Sequence, residues 1–222
     1  PCAEMVRFFK TGAEATSAAA RVARGVTGKD LILSSGYHGW LDTWQVGKKG
    51  VPKSLDDTLI EFDLYDIKEL ENLLDKYEGQ IACIILTPPY YNDPGATHMK
   101  KIRELATKHE ALLVYDEIVT GFRLDIGGIQ NLWGVTPDLA AFGKGIANGY
   151  PLSCLTGKKR YMKEAKNLTI TTTFGGETIS LAAASAALAE YKEKKVFVHL
   201  NNLGEKLQKG LKDAAENVGI AL

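Results

Sequence analysis

Two apolar, strand-like runs of this chain each end on a side chain that could do chemistry. Lys144 follows one of them and lies between Gly143 and Gly145. A lysine shielded from water has a lowered pKa, which makes its amine a usable nucleophile, although an exposed turn could carry the same pattern. Asp116 ends the other run, where its carboxylate could pair with a cation, hold a metal or cap a helix.

A third candidate is the turn Thr11-Gly12-Ala13, which follows a strand-like segment and opens a helix-like one. The first amide groups of a helix have no partner within the helix, so they can donate hydrogen bonds to an anion such as a phosphate. On this evidence alone an ordinary strand-to-helix turn is the simpler interpretation, because a single small-residue turn has little specificity.

These segments belong to a regular alternation of strand-like and helix-like stretches. Apolar runs predict strands at 5–9, 31–36, 81–86, 111–116, 139–143 and 153–157. Strands that alternate with helices predict a mostly parallel sheet that is covered on both faces. In open parallel sheets ligands lie where strands end and loops begin, which is where all three candidates are found. We further expect the first helix to end at Gly25 and residues 37–63 to form a long functional loop or a partly disordered one.

The composition is that of an ordinary globular domain. Of the 222 residues, 45% are apolar and 24% are charged, and 27 lysines and arginines balance 27 acidic residues. A net charge of zero removes the electrostatic argument for nucleic acid or an anionic membrane as the main partner. No stretch approaches the roughly 18 apolar residues of a transmembrane helix. Cys83 and Cys154 lie in apolar runs, as buried thiols do in a reducing compartment, so we expect a cytoplasmic protein.

Taken together, the ordered motifs resemble those of class III aminotransferases, and most closely the branch that contains glutamate-1-semialdehyde aminomutase. The resemblance runs from about Met5 to Gly219, and it is carried by the motifs TGAEATSAAARVARGVTGKD, GYHGW, VYDEIVTGFR, GVTPDLAAFGKGIANGYP and TFGGE. The spacing between Asp116 and Lys144 also matches the family. The resemblance implies a three-layer α/β/α fold with a mostly parallel sheet, the large domain of the pyridoxal-phosphate-dependent transferases of fold type I.

The resemblance also implies pyridoxal 5'-phosphate as the cofactor and assigns roles around it. Lys144 would form the internal aldimine, and its freed amine would then move a proton between substrate and cofactor. Asp116 would keep the pyridine nitrogen protonated, so that the ring can accept electrons. Gly12 and Ala13 would bind the phosphate through their backbone amides, and Thr11 would add its hydroxyl.

Four further residues carry family roles. Tyr37 would stack on one face of the cofactor ring and Ile118 would contact the other, with His38 as a supporting residue. Thr173 resembles the threonine that reaches the cofactor phosphate of the neighbouring subunit, which implies a homodimer with a shared active site. The resemblance includes no metal site.

The chain departs from the common family pattern at two turns. Thr87-Pro88 stands where many members have Glu-Pro, and Thr11-Gly12-Ala13 stands where Ser-Gly-Thr or Asn-Gly-Ser is more frequent. Neither change removes a group that the cofactor chemistry needs. Both changes bear on the geometry with which a substrate is held.

The end of the chain is predicted to be helical. One helix covers Thr178 to Tyr191, and a longer one begins at Val196. The longer helix has an apolar stripe with a 3.6-residue period, made of Leu200, Leu203, Leu207, Leu211, Ala215 and Val218. The last four residues, GIAL, resemble the opening of a strand. We expect a cofactor-binding large domain at 1–194 and the start of an incomplete small domain at 195–222, so that the chain is a fragment lacking the family's N-terminal segment and C-terminal small domain.

The activity implied by the resemblance is transfer of an amino group between an amine donor and a carbonyl acceptor, both small molecules. An aminomutase, which uses the same lysine and cofactor but moves the amine within one substrate, is close behind. A truncated, non-catalytic relative is a third possibility, against which the retained Lys144 and Asp116 argue. A nicotinamide-binding domain fails because no G-x-G-x-x-G opens a helix after the first strand.

Overall fold

The computed structural model describes residues 2–89 and 92–220. Within them, seven strands form one sheet in the order β1-β7-β6-β5-β4-β2-β3. The strands are β1 (Met5–Phe9), β2 (Leu31–Ser35), β3 (Leu59–Glu61), β4 (Ile81–Leu86), β5 (Leu112–Glu117), β6 (Leu139–Phe142) and β7 (Ser153–Gly157). The α-helices are α1 (Gly12–Thr27), α2 (Ile67–Lys76), α3 (Gly95–Lys108), α4 (Ile129–Trp133), α5 (Lys159–Met162), α6 (Thr178–Glu193) and α7 (Val196–Asn217).

The sheet is parallel except at one strand. β2, β3, β4, β5 and β6 pair with their neighbours in parallel register, whereas β7 runs antiparallel to both β1 and β6. The mostly parallel sheet that the sequence predicts is therefore confirmed. The carboxyl ends of all strands but β7 meet at one edge of the sheet.

Helices cover both faces of the sheet, which gives the three-layer arrangement that was predicted. The central strand β5 is buried throughout. Its residues Leu113 and Tyr115 belong to the core beneath α2, α3 and α4, whereas Leu112 and Val114 belong to the core beneath α1 and α5. Because successive side chains of a strand point to opposite faces, a strand in the middle layer must be apolar on both sides.

The end of α1 differs from the prediction. The helix passes through Gly25 and ends after Thr27, with Gly28 in the left-handed conformation at φ 66° as its C-cap. A β-carbon at Gly25 would lie 2.9 Å from the Leu168 side chain, so Gly25 serves close packing inside the helix. A glycine near a helix end is ambiguous in sequence, because close packing and capping both select it.

The stretch 37–63 is more ordered than a single long loop. It contains short 3-10 turns at Asp42–Trp44 and Lys53–Thr58, and it ends in the edge strand β3. β3 pairs in parallel with β2 over three residue pairs. A three-residue strand has too few side chains to show alternation, so sequence periodicity could not reveal it.

The last two helices form where they were predicted. In α7 the stripe of leucines is largely exposed, and of the side chains in this helix only Ala215 is buried among the described residues. Ala221 and Leu222, which belong to the segment expected to open a strand, lie outside the described residues. Within residues 2–89 and 92–220, none of the helices combines the length and apolar character needed to cross a membrane.

Candidate cofactor site

A pocket of about 560 Å³ opens at the edge where the parallel strands end. Every site residue predicted from the sequence lines it except Thr173. The predicted residues that line the pocket are Thr11, Gly12, Ala13, Tyr37, His38, Asp116, Ile118 and Lys144. Ligand sites in open parallel sheets lie at this edge, because the loops that follow neighbouring strands converge there.

Asp116 occupies the floor of the pocket near the end of β5. Its side chain is almost fully buried, and Oδ2 lies 2.9 Å from Nδ1 of His38. The backbone amide of Ile118 donates to Oδ1 at 3.1 Å. Two donors thus fix the orientation of a carboxylate that has little contact with water, as expected of a group that must present its charge to a ligand.

The loop after β2 carries His38 to this position. Thr16 on α1 donates a 2.6 Å hydrogen bond to the carbonyl of His38, and the Trp44 ring lies 5.1 Å from the His38 ring. Gly39 has φ 126°, and a β-carbon there would lie 2.6 Å from that of Ala13. Only glycine permits this approach of the loop to α1.

His38 is held on one side only. Nδ1 faces Asp116 and lies 3.3 Å from the Thr87 hydroxyl, whereas the buried Nε2 has no hydrogen-bond partner among the described residues. A protonated Nε2 would place an unpaired N–H in an apolar setting, which is costly. The geometry therefore favours the tautomer in which Nδ1 is the donor, with Asp116 as its acceptor.

The turn before α1 leaves two amides unused. Thr11 is the N-cap of α1, and its hydroxyl accepts from the backbone amide of Glu14 while donating to the Glu14 carboxylate. The backbone amides of Gly12 and Ala13 make no hydrogen bond to another described residue. These two amides suit an anion, whereas the Thr11 hydroxyl is already engaged by Glu14.

Two side chains flank the space above Asp116. Ile118 lies against Gly12, where a β-carbon would come within 3.0 Å of the Ile118 side chain. Tyr37 is 68% exposed at the mouth of the pocket. An aliphatic side chain and an aromatic ring on the wall of one pocket suit a flat ring between them.

Lys144 enters the same pocket from the turn that follows β6. The residue adopts φ 42°, which is uncommon for any residue but glycine. It is exposed in the open pocket, whereas Gly143 and Gly145 beside it are buried. Of the two settings that the sequence left open for Lys144, this single chain therefore shows the exposed one.

Thr173 lies apart from the pocket. It is exposed on the turn before α6, next to Phe174, which is 64% exposed. A single chain therefore does not bring Thr173 to its own candidate site. This separation is compatible with a contact to a neighbouring copy, which stays a prediction.

Several lining residues were not selected from the sequence. Thr87 follows β4 at the carboxyl edge, so the rule that selected Asp116 could have selected it as well. Tyr150, Pro151 and Leu152 also line the pocket, but they precede a strand instead of following one. They reach this edge because β7 runs antiparallel, which no local pattern of the sequence reveals.

Lys10 is another lining residue that was missed. Its Nζ contacts the Glu177 carboxylate at 2.6 Å and the Pro151 carbonyl at 3.0 Å. Glu177 is the N-cap of α6. Lys10 therefore ties the turn before α1 to the start of α6, and the charged residue before a small-residue turn was the signal available in the sequence.

With this geometry in hand, known proteins give a consistent comparison. The sequence profile of the family described as aminotransferase class-III matches residues 1–221. The chain belongs to the class III aminotransferase family. The predicted family is therefore confirmed.

Similar proteins include both aminotransferases and aminomutases. The chain is 37% identical over 227 residues to 3-aminobutyryl-CoA aminotransferase of Cloacimonas acidaminovorans, covering 99% of this chain and 55% of that protein. It is 34% identical over 241 residues to glutamate-1-semialdehyde 2,1-aminomutase of Persephonella marina, covering 99% of this chain and 56% of the relative. The chain thus spans about half the length of the curated relatives it matches.

Solved class III structures share the fold. An omega-transaminase from Sphaerobacter thermophilus superimposes with a TM-score of 0.91 at 25% identity, over 99% of this chain and 56% of that one. The PLP internal aldimine form of the FumI protein from Sphingopyxis sp. MTA144 gives a TM-score of 0.90 at 28% identity, over 98% of this chain and 54% of that one. The predicted large-domain fold of the fold type I transferases is confirmed.

Proposed function

We propose that this protein transfers an amino group between an amine donor and a carbonyl acceptor, both small molecules, with pyridoxal 5'-phosphate as its cofactor. One observation carries the proposal: an amine, a buried carboxylate and two unused helix amides line one pocket of about 560 Å³. These groups are supplied by Lys144, Asp116, Gly12 and Ala13.

The donor set fits this cofactor group by group. The free amides of Gly12 and Ala13, at the N-terminus of α1, suit a phosphate. Asp116 suits a protonated ring nitrogen, and Ile118 and Tyr37 suit the two faces of the ring. When bound, pyridoxal phosphate supplies a conjugated ring that accepts electrons from a substrate carbon.

Asp116 has the task of holding a proton on the ring nitrogen. A carboxylate in a water-poor position stabilises a neighbouring cation more strongly than one in bulk water. His38 assists through the 2.9 Å hydrogen bond between its Nδ1 and Oδ2, which keeps the Asp116 carboxylate oriented.

Lys144 has two tasks, which are to attach the cofactor through Nζ and then to move a proton with the same atom. A free amine is required for both. No ion pair joins Lys144 to another described residue, which leaves its amine available. The glycines on either side keep the backbone close to the pocket wall.

An aminomutase is the second candidate, and the similar proteins favour keeping it. Several glutamate-1-semialdehyde 2,1-aminomutases are 32% to 35% identical to this chain. The two activities differ in their need for a second substrate. Turnover of an amino aldehyde without any added keto acid or amine donor would indicate aminomutase activity. Dependence of turnover on an added carbonyl acceptor would indicate aminotransferase activity.

We further propose a cytoplasmic homodimer in which Thr173 of each copy reaches the neighbouring site. Support comes from the exposure of Thr173 and Phe174 and from the fact that Thr173 does not line the pocket of its own chain. Residues 1–194 would form the cofactor-binding domain and residues 195–222 the start of a second one. The exposed leucine stripe of α7 supports this division.

The test of the proposed function is covalent trapping. Purified protein is mixed with pyridoxal phosphate, reduced with borohydride and digested, and the modified lysine is identified by mass spectrometry. We expect the label on Lys144, its loss in Lys144→Ala, and its retention in the matched control Lys68→Ala on the exposed face of α2.

The same experiment is run on a longer form that includes the regions which the relatives have and this chain does not. Label on Lys144 in either form supports the proposal. Label scattered over surface lysines in both forms contradicts it, because no specific site would then exist.

A further inference from the structure

The backbone around Lys144 is held in an uncommon conformation. Lys144 has φ 42° and Asn148 has φ 43°, although neither is glycine. Residues persist in this region of conformational space when the surrounding structure holds them there, and such positions concentrate at functional sites. The contacts of the turn 143–149 therefore decide where the Lys144 amine lies.

One of these contacts comes from outside the turn. The hydroxyl of Tyr191, in the last turn of α6, donates a 2.6 Å hydrogen bond to the carbonyl of Gly145. Gly145 is the residue directly after Lys144. A short hydrogen bond to this carbonyl restrains the peptide plane on the carboxyl side of Gly145, and with it the path of the turn.

The Tyr191 ring is itself fixed. It stacks on Phe122 at a centroid distance of 6.4 Å and meets Phe197 of α7 at 5.5 Å. On its other side Gly145 faces the carbonyls of Gly121 and Phe122, each 3.2 Å from where its β-carbon would be. The turn is thus clamped between Tyr191 and the backbone at 121–122.

Burial raises the pKa of Tyr191, so its hydroxyl keeps its proton and remains a donor at neutral pH. The opposite end of the same helix is also tied to the pocket, through Glu177 and Lys10. α6 therefore contacts the site at its first turn and its last. This placement explains how a residue that does not line the pocket can act on one that does.

We propose that Tyr191 is a positioning residue for Lys144. Its hydroxyl holds the Gly145 carbonyl and so fixes the backbone from which the Lys144 side chain reaches the pocket. The role of the Lys144 amine in catalysis rests on the proposed function, whereas its positioning by Tyr191 does not. The positioning role and the proposed function can therefore be contradicted independently.

The test is Tyr191→Phe, which removes the hydroxyl and keeps the ring between Phe122 and Phe197. Tyr161→Phe is the matched control, because the Tyr161 hydroxyl makes no hydrogen bond to another described residue. The first readout needs no cofactor: Lys144 acetylation by a small reagent is followed by mass spectrometry over a pH series, with Lys68 as internal reference. The second is hydrogen–deuterium exchange of peptides covering 143–149.

We expect Tyr191→Phe to change the Lys144 acetylation rate and to speed exchange at 143–149 by about five-fold, the size expected for one neutral hydrogen bond. Exchange in β4 and β5 should be unchanged, which shows that the fold is intact. Tyr161→Phe should match the wild type. With pyridoxal phosphate added, Tyr191→Phe should bind more weakly by a similar factor.

Unchanged Lys144 acetylation and unchanged exchange at 143–149 in Tyr191→Phe would overturn the proposal. A uniform rise in exchange across the sheet would also overturn it, since Tyr191 would then only stabilise the fold. If the acetylation and exchange effects occur but no form of the protein traps the cofactor on Lys144, the positioning role stands and the proposed function fails.

Discussion

The two ends of the central sheet use the same residue types for different purposes. At the amino end of β6, Asp138 pairs with Lys158 and Arg103 at 2.6 Å each, and it also accepts from the backbone amide of Leu113. At the carboxyl end, Asp116 and Lys144 line one pocket, yet no ion pair joins Lys144 to a described residue. One end pairs its lysine and arginine with a buried aspartate, whereas the other leaves the Lys144 amine without an ion pair among the described residues.

The pKa of Asp138 reflects this pairing. Burial, the largest single influence, would raise the pKa of this carboxyl, but Arg103, Lys158 and the Leu113 amide together hold it below its usual value. A carboxylate with a lowered pKa stabilises the folded state at neutral pH. The paired end therefore contributes stability.

The site end has features that cost free energy. His38 has a buried nitrogen without a partner among the described residues, and Lys144 and Asn148 have positive φ. Unpaired buried groups and uncommon backbone conformations are maintained by the packing around them. Groups that stabilise the fold therefore lie at one end of the strands, and groups that remain free to bind a ligand lie at the other. Each of the following variants tests this division.

The largest stability loss is expected from Asp138→Asn. The change leaves Arg103 and Lys158 without their buried partner, which costs about 3 kcal/mol. The unfolded chain has an aspartate pKa of about 3.9, and the folded protein has a lower one. As pH falls below about 3.9 and through the folded pKa, the difference in unfolding free energy between wild type and variant should shrink, because the Asp138 carboxylate becomes protonated. Urea unfolding at pH 7 and pH 3 measures both effects, with the exposed Asp57→Asn as control. A loss below about 1 kcal/mol at pH 7 would show that the pairing is not stabilising.

Glu117→Gln should come next, because Glu117 is the buried neighbour of Asp116. Its carboxylate accepts from the Ile129 amide at 2.6 Å and from the Gln130 side chain at 3.1 Å. A glutamine would turn an NH₂ group toward one of these donors, at a cost of about 2 kcal/mol. Urea unfolding checks this, and a stability equal to wild type would mean that the carboxylate is not needed there.

Asp116→Asn should cost about 1 kcal/mol, because the single amide oxygen can accept from only one of His38 and the Ile118 amide, while removal of a buried charge offsets part of that loss. Trapping of pyridoxal phosphate on Lys144 should nevertheless fall. Parallel urea unfolding and borohydride labelling measure the two effects. A stability loss as large as that of Asp138→Asn would break the comparison, since Asp116 would then be a structural residue.

The smallest effect is expected from Glu177→Gln at the pocket rim. The hydrogen bond from Lys10, followed by that from Ser180, lowers the pKa of Glu177 to about 2. Its contribution to stability is present above the unfolded pKa of about 4.3 and is lost as pH falls through about 2. Thermal midpoints should therefore differ slightly at pH 7, and less in high salt. Glu190→Gln, which breaks an exposed pair on the same helix, is the control, and a salt-independent difference would contradict the ion-pair interpretation.

Much of the fold could be predicted because its signals are local. Apolar runs such as IACIIL have few alternatives to a buried strand, and the alternation of strands and helices fixed the layered class. The end of α1 was missed because Gly25 and Gly28 look alike in sequence. Only packing against Leu168 distinguishes an internal glycine from a cap.

The candidate site was predictable where its residues follow parallel strands. Thr11, Asp116 and Lys144 were found by this rule together with the family resemblance. Tyr150 was missed because it precedes an antiparallel strand, and Tyr191 because it lies far along the chain from the turn it contacts.

The sequence by itself determined the family, the layered fold and the chemical groups of the candidate site. These follow from residue types and short spacings in the sequence, which do not depend on how distant segments pack. Only the tertiary structure decided the direction of β7, the hydrogen bond between His38 and Asp116, the exposure of Lys144 and the contact of Tyr191 with its turn. Each depends on segments brought together from distant parts of the chain, where distance and burial, and not spacing in sequence, determine which groups interact.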